Sequence, residues 1–221
     1  EDFVPGPEVA LEGILDEGRL RVLAIFDKPD PLDGPFFEET VYLRPSGLAR
    51  EIQDGVVMWA SRAVTALGLR TGPVHIEIRV GESGPMLIEA AARPIGGRCS
   101  RVLRFGKGAT LEEVLLLHAL GERPLDQEAY QVDPKPSGVM MIPVPGAGKL
   151  KKILGKDAAR RVVHVEDVVI TAHLGQEIIP LPEGFRYLGF IFARAGTRRE
   201  VDHALRRAHR HLKFELAPLS E

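Results

Sequence analysis

Apolar and polar residues alternate along His75-Ile76-Glu77-Ile78-Arg79-Val80, the period of a strand with two unlike faces. Gly81-Glu82-Ser83-Gly84 reads as a turn, and Met86 onwards as the returning strand. A hairpin tip near Ser83 sets Glu77 opposite Glu89 and His75 opposite Ala91. Upstream, Glu8 to Leu15 and Leu20 to Phe26 read as strands about a turn at Asp16-Glu17-Gly18, and Phe36 to Leu43 as a further strand. After Pro45-Ser46-Gly47, the apolar positions Ile52, Val56, Val57, Ala60, Ala63, Val64 and Leu67 recur at helical spacing, and Gly68 is placed to end that helix. Thr110-Leu111-Glu112-Glu113 and Thr197-Arg198-Arg199-Glu200 are capping boxes. The first opens a helix that Gly121 closes. The second opens a final helix with Val201, Ala204, Leu205, Ala208 and Leu212 on its buried face. Strands are expected near 138–144, 162–172 and 186–194, with a last short one at Phe214 to Leu216.

A polar, proline-bearing stretch with Asp133-Pro134-Lys135-Pro136-Ser137 marks a boundary. It divides the chain into a first domain at 1–125, a linker at 126–137 and a second domain at 138–221. Runs of strands mixed with separate helices make the class α+β, an antiparallel sheet with helices followed by a smaller α+β domain.

Composition narrows the function classes. The 221 residues are 44% hydrophobic and 27% charged, an ordinary globular balance. A net charge of −2 gives no global basic field for nucleic acid. No apolar run approaches the roughly 20 residues that span a bilayer. The single cysteine, Cys99, excludes an internal disulfide and fits a reducing cytoplasm. Cys99 reads as a small core residue, because no base stands beside it in sequence. The chain opens at Glu1-Asp2-Phe3-Val4-Pro5-Gly6-Pro7-Glu8 without methionine, as a fragment of a longer protein would.

Chemistry concentrates around the hairpin. Directly opposed carboxylates stand about 4.5–5.5 Å apart at Cβ and repel. A divalent cation relieves that repulsion, and Mg²⁺ suits carboxylate oxygens shared with waters and phosphates. A solvated face with Arg79 as neutralising partner is the bland alternative, and spacing alone leaves both open. Arg93 lies four residues beyond Glu89 on the same face. Pro94-Ile95-Gly96-Gly97-Arg98 then reads as the opening of a helix whose free N–H groups favour an anion. Elsewhere Lys28 reads as an exposed loop residue or as one that reaches phosphate. Of Glu38 and Glu39, one faces inward toward a cationic group, or both are edge charges. Gly146-Ala147-Gly148-Lys149 lacks the spacing of a phosphate loop. The basic runs at Arg206 to His211 and at Lys149 to Lys156 read as solvated faces, since no stacking aromatics are interleaved. His164 and His173 read as surface residues and His118 as a satisfied core histidine.

Glu1-Asp2-Phe3-Val4-Pro5-Gly6-Pro7-Glu8-Val9 resembles the hinge of ATP-grasp enzymes. His75-Ile76-Glu77 and Ile88-Glu89-Ala90-Ala91-Ala92-Arg93 resemble their two metal-binding strands. With Gly96-Gly97, the pattern is closest to the L-amino-acid ligase and biotin-carboxylase-like branch. The resemblance implies the C-terminal half of an ATP-grasp domain and a ligase-type C-terminal domain. It places Glu1 by adenine, Glu8 by ribose, and Glu77 and Glu89 on Mg²⁺, with Mn²⁺ as a substitute. Arg93, Gly96 and Gly97 would hold the substrate carboxylate or acyl phosphate. His75 would lie beside the transferring phosphate, and Lys28 and Glu39 would contact phosphate and substrate. It implies an ATP-dependent carboxylate–amine ligase, with an ATP-dependent carboxylase or a non-catalytic nucleotide-binding module as alternatives. Its partners would be a small carboxylate, an amine, and the lid and N-terminal domains of the same protein; a homodimer is compatible with it. Without those domains the chain alone is expected to be inactive. Ala91 departs from the pattern, since relatives carry an asparagine there that offers an oxygen to metal.

Overall fold

In a computed structural model, residues 2–31, 39–122, 130–184 and 186–219 are described. The chain divides into two compact units. One is Glu1–Pro31 with Leu43–Pro134; the other is Leu32–Tyr42 with Lys135–Glu221. The division therefore differs from a single cut at a linker, because a segment ending at Tyr42 joins the second unit. Residues 123–129, within and beside the expected linker, lie outside the described residues.

The first unit contains β1 (Glu8–Asp16), β2 (Arg19–Lys28), the end of β3 (Val41–Arg44), α1 (Arg50–Ala66), β4 (Gly72–Gly81), β5 (Gly84–Ala91), a single 3₁₀ turn at Cys99–Val102, and α2 (Leu111–Ala119). Its antiparallel strands run in the order β5-β4-β1-β2, with Leu43 of β3 opposite Asp27. Strand alternation splits the sheet into two faces. Val9, Leu11 and Leu15 of β1 and Val74, Ile76 and Ile78 of β4 pack with Val56, Ala60 and Val64 of α1. Those three helix residues are spaced by four, which makes one stripe. Full burial of a side chain such as Ile76 contributes about 1.5–3 kcal/mol. The opposite face carries Glu8 and Glu12 of β1 beside Arg79 and His75 of β4.

Local signals end the helices where the pattern predicts. At the end of α1, Gly68 adopts φ +68°, and the amides of Gly68 and Leu69 donate to Thr65 and Val64. At α2, Glu113 N–H donates to Thr110 Oγ1 at 3.2 Å, while Thr110 N–H donates to Glu113 Oε2 at 2.7 Å. His118 is buried and its Nε2 bonds the Leu15 carbonyl at 3.1 Å, a core position. Cys99 is buried. The segment after Arg93 is the exception. It forms no α-helix, only the 3₁₀ turn, which Arg98 enters at φ +61°.

The second unit holds β6 (Ser137–Ile142), β7 (Gly148–Leu154), α3 (Lys156–Arg160), β8 (Val165–Ile170), β9 (Glu177–Ile178), β10 (Gly189–Arg194), α4 (Arg198–His211) and β11 (Lys213–Ala217). Strands β6, β10 and β8 neighbour one another in that order, and β11-β7-β9 form a separate sheet. Val201, Ala204, Leu205 and Ala208 of α4 are buried, and α4 packs on β6 and β10. The basic run at 149–152 belongs to β7. Leu150 is buried there while Lys149, Lys151 and Lys152 stay exposed, so one buried residue among lysines concealed a strand. His164 and His173 are exposed. Among the described residues, no helix is long and apolar enough to cross a membrane.

Candidate active site

The hairpin of β4 and β5 brings Glu77 opposite Glu89 and His75 opposite Ala91, the predicted pairing, by a different route. The tip lies between Glu82 and Ser83, since Gly81 pairs with Gly84 and Ile78 with Leu87. A register shift between Glu77 and Ile78 leaves Ile88 as an extra residue. Bulges of this kind re-aim the residues beyond them, and this one restores the Glu77–Glu89 opposition.

On the polar face the side chains form an alternating chain of acid and base. Arg79 donates to the Val4 carbonyl at 2.7 Å and to Glu8 Oε2 at 2.9 Å. Its guanidinium stands 4.9 Å from the Phe3 ring centre. Lys28 bonds Glu8 Oε1 and, at 2.7 Å, Glu77 Oε1. His75 Nε2 lies 3.3 Å from that same Glu77 oxygen. His75 Nδ1 bonds Glu12 Oε1, and Glu12 Oε2 accepts from Ile95 N–H at 3.1 Å. Three carboxylates thus alternate with three cationic groups.

Protonation follows from this order. Burial disfavours the His75 imidazolium, but hydrogen bonds and charge from Glu12 and Glu77 outweigh it and hold the ring at about 9. Burial likewise opposes the Glu77 carboxylate, but the His75 hydrogen bond and the Lys28 charge take it down to about 2. At Glu12, burial wins and the carboxyl is pushed up despite its bond to His75. Desolvation is the largest single influence at all three, and the number of oppositely charged partners decides its outcome.

Several expected roles change. Lys28 is not exposed; its side chain is 2% accessible and ion-paired. Glu8 is ion-paired through one oxygen with Lys28 and through the other with Arg79. Arg79 neutralises Glu8, and Lys28 takes the expected place of Arg79 beside Glu77. Glu89 and Arg93 are more than half exposed and 3.8 Å apart. Gly96 and Gly97 are exposed, and the space that a Cβ on Gly96 would enter is open to 4 Å. Glu39 is half-buried and belongs to the second unit. Glu1 and Glu38 lie outside the described residues. Glu12 escaped sequence reasoning. Its signal was its spacing of four from Glu8 on one strand, which places both on one face.

The opposed carboxylates could hold a divalent cation. Both internal bonds of Glu77 land on Oε1, leaving Oε2 for another ligand, and Glu89 opens to solvent opposite it. Oxygen donors with room for waters and phosphates suit Mg²⁺.

Residues 1–102 match the family described as the ATP-grasp domain, and residues 140–217 match L-amino acid ligase C-terminal domain 2. Residues 1–102 are thus similar to an ATP-grasp domain, and the later part of the chain to the C-terminal domain of L-amino acid ligases. Among solved structures, the L-amino acid ligase from Bacillus licheniformis superposes with a TM-score of 0.84 at 31% identity, over 97% of this chain and 53% of that one. Carnosine synthase 1 of Gallus gallus is 34% identical over 124 residues, 56% of this chain and 13% of that protein. The uncharacterized protein y4rH of Sinorhizobium fredii is 26% identical over all 221 residues, 45% of its own length. The chain thus spans less than half the length of these curated relatives.

Proposed function

We propose that this chain is the nucleotide- and metal-binding portion of a ligase that joins a carboxylate to an amine at the expense of ATP, with an amino acid as substrate. The observation that carries the reading is the direct opposition of Glu77 and Glu89, with Arg93 and the open Gly96-Gly97 loop beside it. The likeness to an L-amino acid ligase supports it.

Glu77 and Glu89 would hold Mg²⁺, and the charge it supplies would offset that of the phosphates. Lys28 and His75 hold Glu77 ionised and fixed, so its free oxygen is presented without reorganisation. Arg93 and the amides of Gly96 and Gly97 would orient a substrate carboxylate. Its oxygen attacks the γ-phosphorus, the bond to the β-phosphate oxygen breaks, and ADP leaves. Positioning and charge stabilisation carry most of such a step. The amine nitrogen then attacks the acyl carbon, loses a proton, and inorganic phosphate departs.

Ala91, which offers no oxygen at the pairing position beside Glu89, favours a second reading, a nucleotide-binding module without turnover. An ATP-hydrolysis assay on full-length protein separates the two. ATP consumption stimulated by an amino acid is expected. No consumption with any amino acid or with bicarbonate sinks the enzyme reading and leaves the binding module.

A further inference from the structure

Glu12 is the most deeply buried acid among the described residues, 1% exposed. It ties three distant segments at one carboxylate. One oxygen meets His75 on β4, the other accepts the amide of Ile95, and the residue itself sits on β1. The pairing of β1 with β2 shifts register between Glu12 and Gly13, an irregularity that re-aims a side chain. Ile95 is 7% exposed, so its N–H has little access to water, and an unpaired buried donor is costly. Gly96 and Gly97, directly after this anchored amide, are exposed. Gly97 takes φ +61°, and so does Arg98. The loop is an exposed turn held on one side at Ile95 and on the other at buried Cys99, whose N–H donates to the Gly96 carbonyl at 3.1 Å.

We propose that Glu12 is a positioning residue: by holding the Ile95 amide and the His75 ring together, it sets where the Gly96-Gly97 amides and Arg93 stand relative to the Glu77–Glu89 pair. The proposal rests on the reading of that loop as the carboxylate-binding element. Glu12 touches no substrate in this scheme. It fixes the distance between the two halves of the site, one on the hairpin and one on the loop. A displacement of about 1 Å in such a constellation costs about a hundredfold in rate.

The test uses full-length protein with Glu12→Leu, which keeps the volume and removes both acceptors, and Glu12→Gln, which keeps an acceptor for Ile95. Glu12→Met replaces the leucine variant if that one folds poorly. Hydrogen exchange of the Ile95 and Gly96 amides is read without substrate, and ATP turnover is read with a mixture of the L-amino acids. In Glu12→Leu, loop exchange is expected to accelerate about tenfold or more, with β1 core amides unchanged. Its kcat is expected to fall about a hundredfold while KM for ATP stays within about twofold. Glu12→Gln should recover most of both losses. Unchanged loop exchange in Glu12→Leu overturns the proposal, as does a glutamine variant no better than the leucine. If wild-type protein consumes no ATP, the exchange result still decides the positioning role, and only the functional reading fails.

Discussion

Lys28 is the residue on which the charged face turns. Its ammonium sits between Glu8 and Glu77 with a 2% accessible side chain. Removing one partner from a buried ion pair leaves uncompensated charge. Lys28→Met should therefore destabilise the protein by about 3–5 kcal/mol in urea unfolding. Glu89 is the contrasting case, because its side chain is 54% accessible and its contact with Arg93 is loose. Glu89→Gln should leave the melting temperature nearly unchanged and remove Mg²⁺-dependent ATP turnover. Turnover close to wild type would take Glu89 out of the metal site. The same face also predicts a pH dependence of stability. His75 has a raised pKa, so its contribution is complete below its ordinary 6.5 and is lost as pH rises toward about 9. Glu77 has a lowered pKa, so its contribution is complete above 4.5 and is lost as pH falls toward about 2. Stability from this pair is greatest between those two ordinary values. Melting temperatures of His75→Gln should be flatter than wild type between pH 6.5 and 9; parallel curves would show that the ring is not held charged.

At the scale of elements, local chemistry determines how reliably sequence can be read. Capping boxes are complete within four residues, and both formed with the expected partners. Thr197→Ala should cost about 1 kcal/mol, seen as a lower denaturation midpoint. Gly155 opens α3 at φ +81°, and a Cβ there would fall 1.8 Å from the His211 carbonyl oxygen. Gly155→Ala should be clearly more destabilising than Thr197→Ala by the same measurement, because backbone rather than a side-chain tip must yield. The hairpin shows the limit of such reading. The Glu77–Glu89 pairing was legible, but the tip and the compensating extra residue at Ile88 were not. Two different registers give the same facing pair, and only the hydrogen-bonded ladder distinguishes them. The expected helix after Gly96 failed for a related reason. Glycines with open amides can begin a helix or form a turn, and consecutive positive φ angles at Gly97 and Arg98 chose the turn.

At the scale of the whole molecule, the chain spans about half of the solved L-amino acid ligase that it resembles. On the proposed reading, one wall of a nucleotide site is present. Mg²⁺ with ADP titrated calorimetrically into this chain should bind weakly and lose its signal in Glu77→Ala, while turnover should need the full-length protein. Equal binding by Glu77→Ala would place the metal elsewhere. The α+β class, the two capping boxes, the stripe on α1 and the opposition of two carboxylates are legible in the amino-acid order. Each of these depends on residues near one another along the chain or on a period that repeats. Tertiary structure alone decided that Lys28 is buried between Glu8 and Glu77, that Arg79 serves Glu8, and that Glu12 joins His75 to Ile95. Those contacts bridge 20 to 83 residues of sequence, and an ion pair is set by which strands lie side by side, which no local pattern encodes.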